Sequence, residues 1–187
     1  LYAAGVKNLF AGGRAFSLTH AAFASARVMG TTAVVGQAIG TAAALCARHS
    51  LTPRGLYESG RVFDLQQALL RDDCYIPRLT NQDPRDLARS AKVSASSGDC
   101  SPLLDGVSRP VGDEAHAWAS APGDARPVLE LKLSAPAAVE RVVLKFDSDL
   151  NADPMITLDP ACIRMHAKTP PPSLVSIAKI ACPVPLL

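Results

Sequence analysis

The side chains best suited to chemistry gather between Asn8 and Ala47, in the stretch NLFAGGRAFSLTHAAFASARVMGTTAVVGQAIGTAAALCA. His20 and Arg27 stand among Ser17, Thr19 and Ser25 in a segment that reads as a polar loop or short helix. An imidazole titrates near neutral pH and moves protons. A guanidinium keeps its charge and grips a carboxylate with a planar fork. These two residues are the candidate catalytic groups, the first for proton transfer and the second for holding an anionic substrate group. Ahead of them Gly12 and Gly13 leave backbone without a Cβ, which lets a ligand come close, and Arg14 follows. The same residues also fit a plain turn after a strand, a surface histidine and a structural arginine.

The elements that must position these groups can be read around them. Leu9-Phe10-Ala11 forms a short apolar strand that Gly12-Gly13 ends. From about Thr31 the chain enters a run, Ala33 to Ala47, that only Gln37 and Thr41 interrupt with polar side chains, which predicts a helix buried nearly all round. Gly36 and Gly40 each cost roughly 1 kcal/mol against Ala in an exposed helix, so something is expected to approach the backbone there. The start of this helix, near Thr31-Thr32, carries about half a positive charge and free N–H donors. Arg48-His49 suits its end. Thr52-Pro53 reads as a cap and first helical residue of a short helix to Glu58, and Gly60 breaks it. Leu65, Ala68 and Leu69 then make one apolar helical face after Asp64.

This stretch resembles the C-terminal flavin-contacting segment of FAD-dependent oxidoreductases in the family related to the heterodisulfide reductase A subunit. The residues that carry the resemblance are Gly13-Arg14, Thr19-His20, Arg27-Val28-Met29 and the block from Gly36 to Leu45, within about Val6 to Leu56. Gly30 departs from it, since relatives often have Pro there. The resemblance implies FAD as cofactor, met by Gly12, Gly13, Arg14, Met29, Thr31, Thr32 and Gly36. It places Arg14 toward the pyrophosphate or ribityl chain. It puts the helix start where a reduced flavin gains negative charge, and it sets His20 and Arg27 on the substrate side. It implies a small-molecule substrate. It also implies that the dinucleotide-binding Gly-x-Gly-x-x-Gly, absent here, lies in an N-terminal half upstream of Leu1, so this chain is expected to be a fragment. Relatives bear iron–sulfur clusters whose ligands would lie outside this chain.

After Tyr75 the pattern changes. A polar, Pro-bearing linker over 77–90 leads into alternating segments: Lys92 to Ser97, Leu129-Leu131-Leu133, Val142-Leu144-Phe146 and Ile163-Met165-Ala167. Turn clusters separate them, which predicts an antiparallel sandwich. Asp105-Gly106-Val107, Trp118 and Leu144 to Asn151 resemble the discoidin-like jelly roll appended to some such oxidoreductases. That likeness implies a glycan as possible ligand. The expected fold class is therefore α+β: a Rossmann-type FAD-binding segment at 1–76, the linker, and a partial β-sandwich at 91–187. A carbohydrate- or surface-binding sandwich without catalysis is the alternative reading of function.

Other chemistries find less support. The net charge of +2, with scattered basic residues, argues against nucleic acid. The apolar run of about 15 residues falls short of the ~20 that a membrane span needs. Neither a Ser-His-Asp order nor paired carboxylates point to hydrolysis. Cys46, Cys74, Cys100, Cys162 and Cys182 contain no C-x-x-C, so no metal ligand set is expected, and a Cys74–Cys100 disulfide stays open. Asp147, Asp149, Asn151 and Asp153 alternate as oxygen donors do, without the calcium-loop pattern. Compartment is not legible.

Overall fold

The computed structural model describes residues 1–147, 174–175 and 178–181. Four α-helices occupy the first half: α1 (His20–Ala26), α2 (Met29–His49), α3 (Pro53–Glu58) and α4 (Val62–Arg71). Two short strands follow, β1 (Lys92–Ala95) and β2 (Leu129–Lys132). Single turns of 3₁₀-helix lie at Gly13–Ala15, Leu87–Ser90 and Ser101–Leu104.

Local chemistry explains the helix ends. Thr19 accepts the Ala22 amide at 3.4 Å, and Thr52 accepts the Gly55 amide at 3.0 Å, so two helices begin on threonine caps. Pro53 opens α3, where its missing N–H costs nothing. Arg48 and His49 sit in the last turn of α2, and Ser50 turns left-handed at φ 54° to close it. The chain leaves α4 the same way through Asp73, at φ 66°, with the Cys74 amide donating to the Leu69 carbonyl at 2.9 Å. Arg61 donates to Asp64 at 3.0 Å across the first turn of α4, placing an acid at the positive helix end.

The core of this half is small. Ala42, Cys46 and Leu56 are buried together, with Phe10, Leu45, Leu51 and Leu65 packed around them. Ala68, Leu69 and Leu70 are buried on α4, so the apolar face expected there is present. The apolar run at 9–11 forms only a bridge, Tyr2 to Phe10, with the Ala3 amide on Leu9 and the Ala11 amide on Leu1.

Helix α2 departs from expectation in three ways. It begins at Met29, so Gly30 lies inside its first turn. It has 21 residues, of mean hydropathy 1.3, and is long and apolar enough by length and composition to cross a membrane. The length argument against a span therefore does not hold for it. It is also largely uncovered: Ala42 and Cys46 are its only buried residues, and Met29 is 87 % exposed. The reason is geometric. Small side chains reach little, and the elements that cover α2 (α3, α4 and the turn at Gly13–Ala15) all lie on one face.

β1 and β2 pair antiparallel, Lys92 opposite Lys132 and Ala95 opposite Leu129. Among the described residues this is a two-stranded sheet rather than a sandwich. Val142, Leu144 and Phe146 form no strand and are exposed. Leu131 is exposed too, so the alternation there does not mark a buried face. Alternating apolar residues become strands only where a partner edge and a covering layer exist. Side chains hold this half instead: Asp124 accepts from Ser96 and Ser97 at 2.6 Å each, and the Trp118 indole donates to the Ser97 carbonyl at 2.8 Å. Trp118 is thus half-buried in a loop rather than in a sheet core. The segment expected as a strand over 163–168, and the acidic positions Asp149, Asn151 and Asp153, lie outside the described residues.

Residues 77–90 are tied on both sides. Gln67 donates to the Thr80 carbonyl at 3.1 Å and accepts the Gln82 amide at 2.6 Å. The Asn81 amide donates to the Gly106 carbonyl at 2.9 Å. Cys46, Cys74 and Cys100 are free thiols, so the Cys74–Cys100 bond is not formed. Burial pushes the Cys46 thiol up.

Candidate functional site at the start of helix α2

The glycine turn, α1 and the first turn of α2 follow one another in the chain, and each carries part of the site foreseen from sequence. Gly12 is extended and lies against α2: a Cβ there would meet Ile39 Cδ1 and stand 3.0 Å from Val35 Cγ1. Its missing side chain therefore serves helix packing. Gly13 is left-handed at φ 62° with open space beside it, so a backbone surface is presented there. Arg14 is exposed in the 3₁₀ turn.

His20 is the first residue of α1, and Arg27 caps its end, the Arg27 amide donating to the Phe23 carbonyl at 3.1 Å. The helix between them separates their backbones by roughly 10 Å at 1.5 Å per residue. They are not a side-by-side pair. Both are exposed, and the Arg27 guanidinium lies over the Phe23 ring, 6.0 Å from its centroid.

Met29, Thr31 and Thr32 form the first turn of α2. Thr32 Oγ1 is turned inward, donating to the Met29 carbonyl at 2.9 Å. The residue before the helix is Val28, which has no side-chain oxygen, and no side chain caps this end. The leading amides of α2 thus have neither an intrahelical acceptor nor a side-chain one. Gly36 and Gly40 are open: nothing within 4 Å would meet a Cβ at either. The close approach expected there is not made by the described residues.

Two groups outside this site had no sequence signal. His116, at φ 49°, has Asp105 Oδ2 at 2.5 Å from Nδ1 and Glu114 Oε2 at 3.2 Å from Nε2. Arg48 faces a groove along α2 and α4. His116 and Asp105 have no recognisable spacing, because the loop after Gly106 brings them together. Among the described residues no group of three or more His, Cys, Asp or Glu is placed to hold a metal ion.

No curated protein and no solved structure matches the chain. A family model does match part of the chain, covering α1 to α3 and most of α4: residues 1–69 are similar to the FAD dependent oxidoreductase family.

Proposed function

We propose that the chain supplies the flavin-contacting helix end and the substrate-side segment of an FAD-dependent oxidoreductase related to the heterodisulfide reductase A subunit. One observation carries this reading: the long helix in the family-matching segment begins on Val28, with its first amides uncapped. A positive helix end left without an oxygen suits an electron-rich ring carbonyl. The residues present fit one edge of the cofactor: the amides of Met29, Gly30 and Thr31, the open backbone at Gly13, and the exposed Arg14 for a phosphate. FAD, when bound, supplies the hydride or electron chemistry.

The chain's own residues would then divide the remaining tasks. Arg27 adjoins the helix start and holds an anionic substrate group. His20, at the far end of α1, exchanges a proton with a different part of the substrate. The other half of the dinucleotide site would be supplied by a separate FAD-binding unit. The similarity over residues 1–69 also favours packing of α2 within a protein over a membrane span.

Placing a carboxylate at the cap tests the proposal. Val28→Asp gives the orphan amides an acceptor, so it should stabilise the helix by about 1 kcal/mol. In the FAD-loaded protein it should weaken cofactor binding by about tenfold or more, because charge now repels charge there. A rise in thermal midpoint with FAD affinity unchanged would remove the helix end from the site.

A further inference from the structure

We propose that His116 is a proton-controlled latch, which holds the tip of the loop 107–118 closed while its imidazole is charged and frees it when the proton leaves. The ring lies between two carboxylates. Asp105 Oδ2, at the end of the 3₁₀ turn Ser101–Leu104, is 2.5 Å from Nδ1, and Glu114 Oε2, from the loop itself, is 3.2 Å from Nε2. Among the described residues these are the charged groups that meet the ring, and its side chain is only 13 % exposed. A neutral imidazole has one N–H and one lone pair, so it serves one of the two oxygens and turns its lone pair on the other. The imidazolium serves both. The backbone sets the ring there in a left-handed conformation, φ 49°, that is uncommon for a residue with a Cβ.

The surroundings decide which contact gives way. Asp105 is held a second time, since its Oδ1 accepts the Val107 amide at 2.8 Å. Glu114 has a side chain 78 % exposed and open to water. Loss of the proton therefore releases Glu114 and leaves Asp105 in place. Glu114 also closes the tip of the loop: its backbone exchanges hydrogen bonds of 2.9 and 3.1 Å with Val111, around Gly112 at φ 60°. So short a pairing is marginal by itself, and the contact of Glu114 with the ring supplies the rest of its order. The remainder of the loop is anchored independently. The Gly106 carbonyl accepts the Asn81 amide at 2.9 Å, Arg109 is engaged by Asp73 at 3.1 Å, and the Trp118 indole donates to the Ser97 carbonyl at 2.8 Å. The latch thus acts on residues 111–116 and leaves the joint to α4 intact. It does not rest on the flavin reading.

The test is nuclear magnetic resonance of the whole chain from about pH 5 to 9, a range that keeps carboxylates charged and spans the titration of an imidazole. Ring-nitrogen shifts report the protonation of His116, and carbon relaxation at the Cα atoms of Val111 and Glu114 reports the tip. The closed tip belongs to the charged ring, so it is present at the acid end and lost as pH rises. Order parameters at Val111 and Glu114 should fall from about 0.85 to below about 0.6, in step with the His116 ring, while those of Trp118 and α4 hold. His116→Gln should leave the tip loose at every pH, since glutamine carries no charge. Glu114→Gln should keep it ordered throughout, because an amide accepts from the charged ring and donates to the neutral one. Unchanged α4 resonances report that each variant is folded. A wild-type tip equally ordered at both ends of the range would overturn the proposal. So would a pH step that survives in His116→Gln or in Glu114→Gln.

Discussion

Two glycines separate packing from ligand contact at the level of single residues. Gly12 lies under Ile39 and Val35 and cannot take a Cβ without moving them. Gly12→Ala should cost about 1–3 kcal/mol by overpacking, read as a lower thermal midpoint. Gly36, on an exposed helical face, has open space. Gly36→Ala in the chain alone should be stabilising by about 0.5–1 kcal/mol, because alanine loses less backbone entropy in a helix. A loss of stability on Gly36→Ala would show that something covers that face. The proposed site residues His20 and Arg27 belong to the same scale. In the FAD-loaded protein, His20→Ala should cost about 10²–10⁴-fold in turnover if it moves a proton. Arg27→Ala should lower turnover while FAD content holds, and Arg27→Lys should not rescue it. Anaerobic flavin reduction in single turnover is the measurement; wild-type rates in both alanine variants would leave them as scaffolding.

At the level of elements, the helices stand on their caps and on a narrow seam. Thr52 holds the Gly55 amide at 3.0 Å, a better distance than the 3.4 Å at Thr19. Thr52→Ala should destabilise by about 1 kcal/mol, and Thr19→Ala by less; urea unfolding of the two variants compares them directly. Leu69, buried on α4, should cost about 2–5 kcal/mol as Leu69→Ala. Helix α2 has the composition of a buried element, yet the window that qualifies as a span is only 11 % buried. Its apolar character is thus available to a covering surface. A cofactor-binding domain, as proposed here, would use that face together with the uncapped helix start.

Across the whole molecule, ion pairs join the helical half to the loops that follow. Asp83 is nearly buried and takes Arg85 at 2.8 Å and Arg71 at 3.2 Å. The hydrogen bonds from Arg85, then from its amide and Arg71, outweigh burial and hold this carboxyl well below the usual range. Asp73 receives Arg109 at 3.1 Å and Lys145 at 3.3 Å, and Lys145 also donates to the Leu70 carbonyl at 3.0 Å. Burial pushes the Asp73 carboxyl up, but Arg109 and Lys145 together bring it down. Both carboxyls are depressed by folding, so their contribution is fully present above the unfolded value of about 3.9. It is lost as pH falls below about 4 and each folded-state value is passed. Acid unfolding should therefore begin with separation of the 77–147 segment from α4. Asp83→Asn should lower stability at pH 7 by about 1–2 kcal/mol and flatten the acid limb, as measured by chemical denaturation at pH 3 to 7. An acid limb identical to wild type would show that this carboxylate does not bind the halves together.

Some of this protein follows from local chemistry and was legible in sequence alone. Thr52-Pro53 begins a helix and Gly60, at φ 73°, ends the turn after it, because cap oxygens and backbone freedom act within a few residues. The face of Ala68 and Leu69 and the run from Thr31 to Ala47 were readable for the same reason: helical periodicity is local. The block from Gly36 to Leu45 also carried the oxidoreductase resemblance, which the match over residues 1–69 supports. The rest depended on what meets in space. Whether α2 is covered all round, whether Val142, Leu144 and Phe146 find a strand partner, and whether Cys74 meets Cys100 are questions of distant contacts, and among the described residues each is answered in the negative. Tertiary structure likewise gave Gly12 to helix packing, set His20 and Arg27 at opposite ends of one helix, and left Arg48 over an open groove. No spacing rule encodes those, since each arises from residues brought together only when α2, α3 and α4 close on one another.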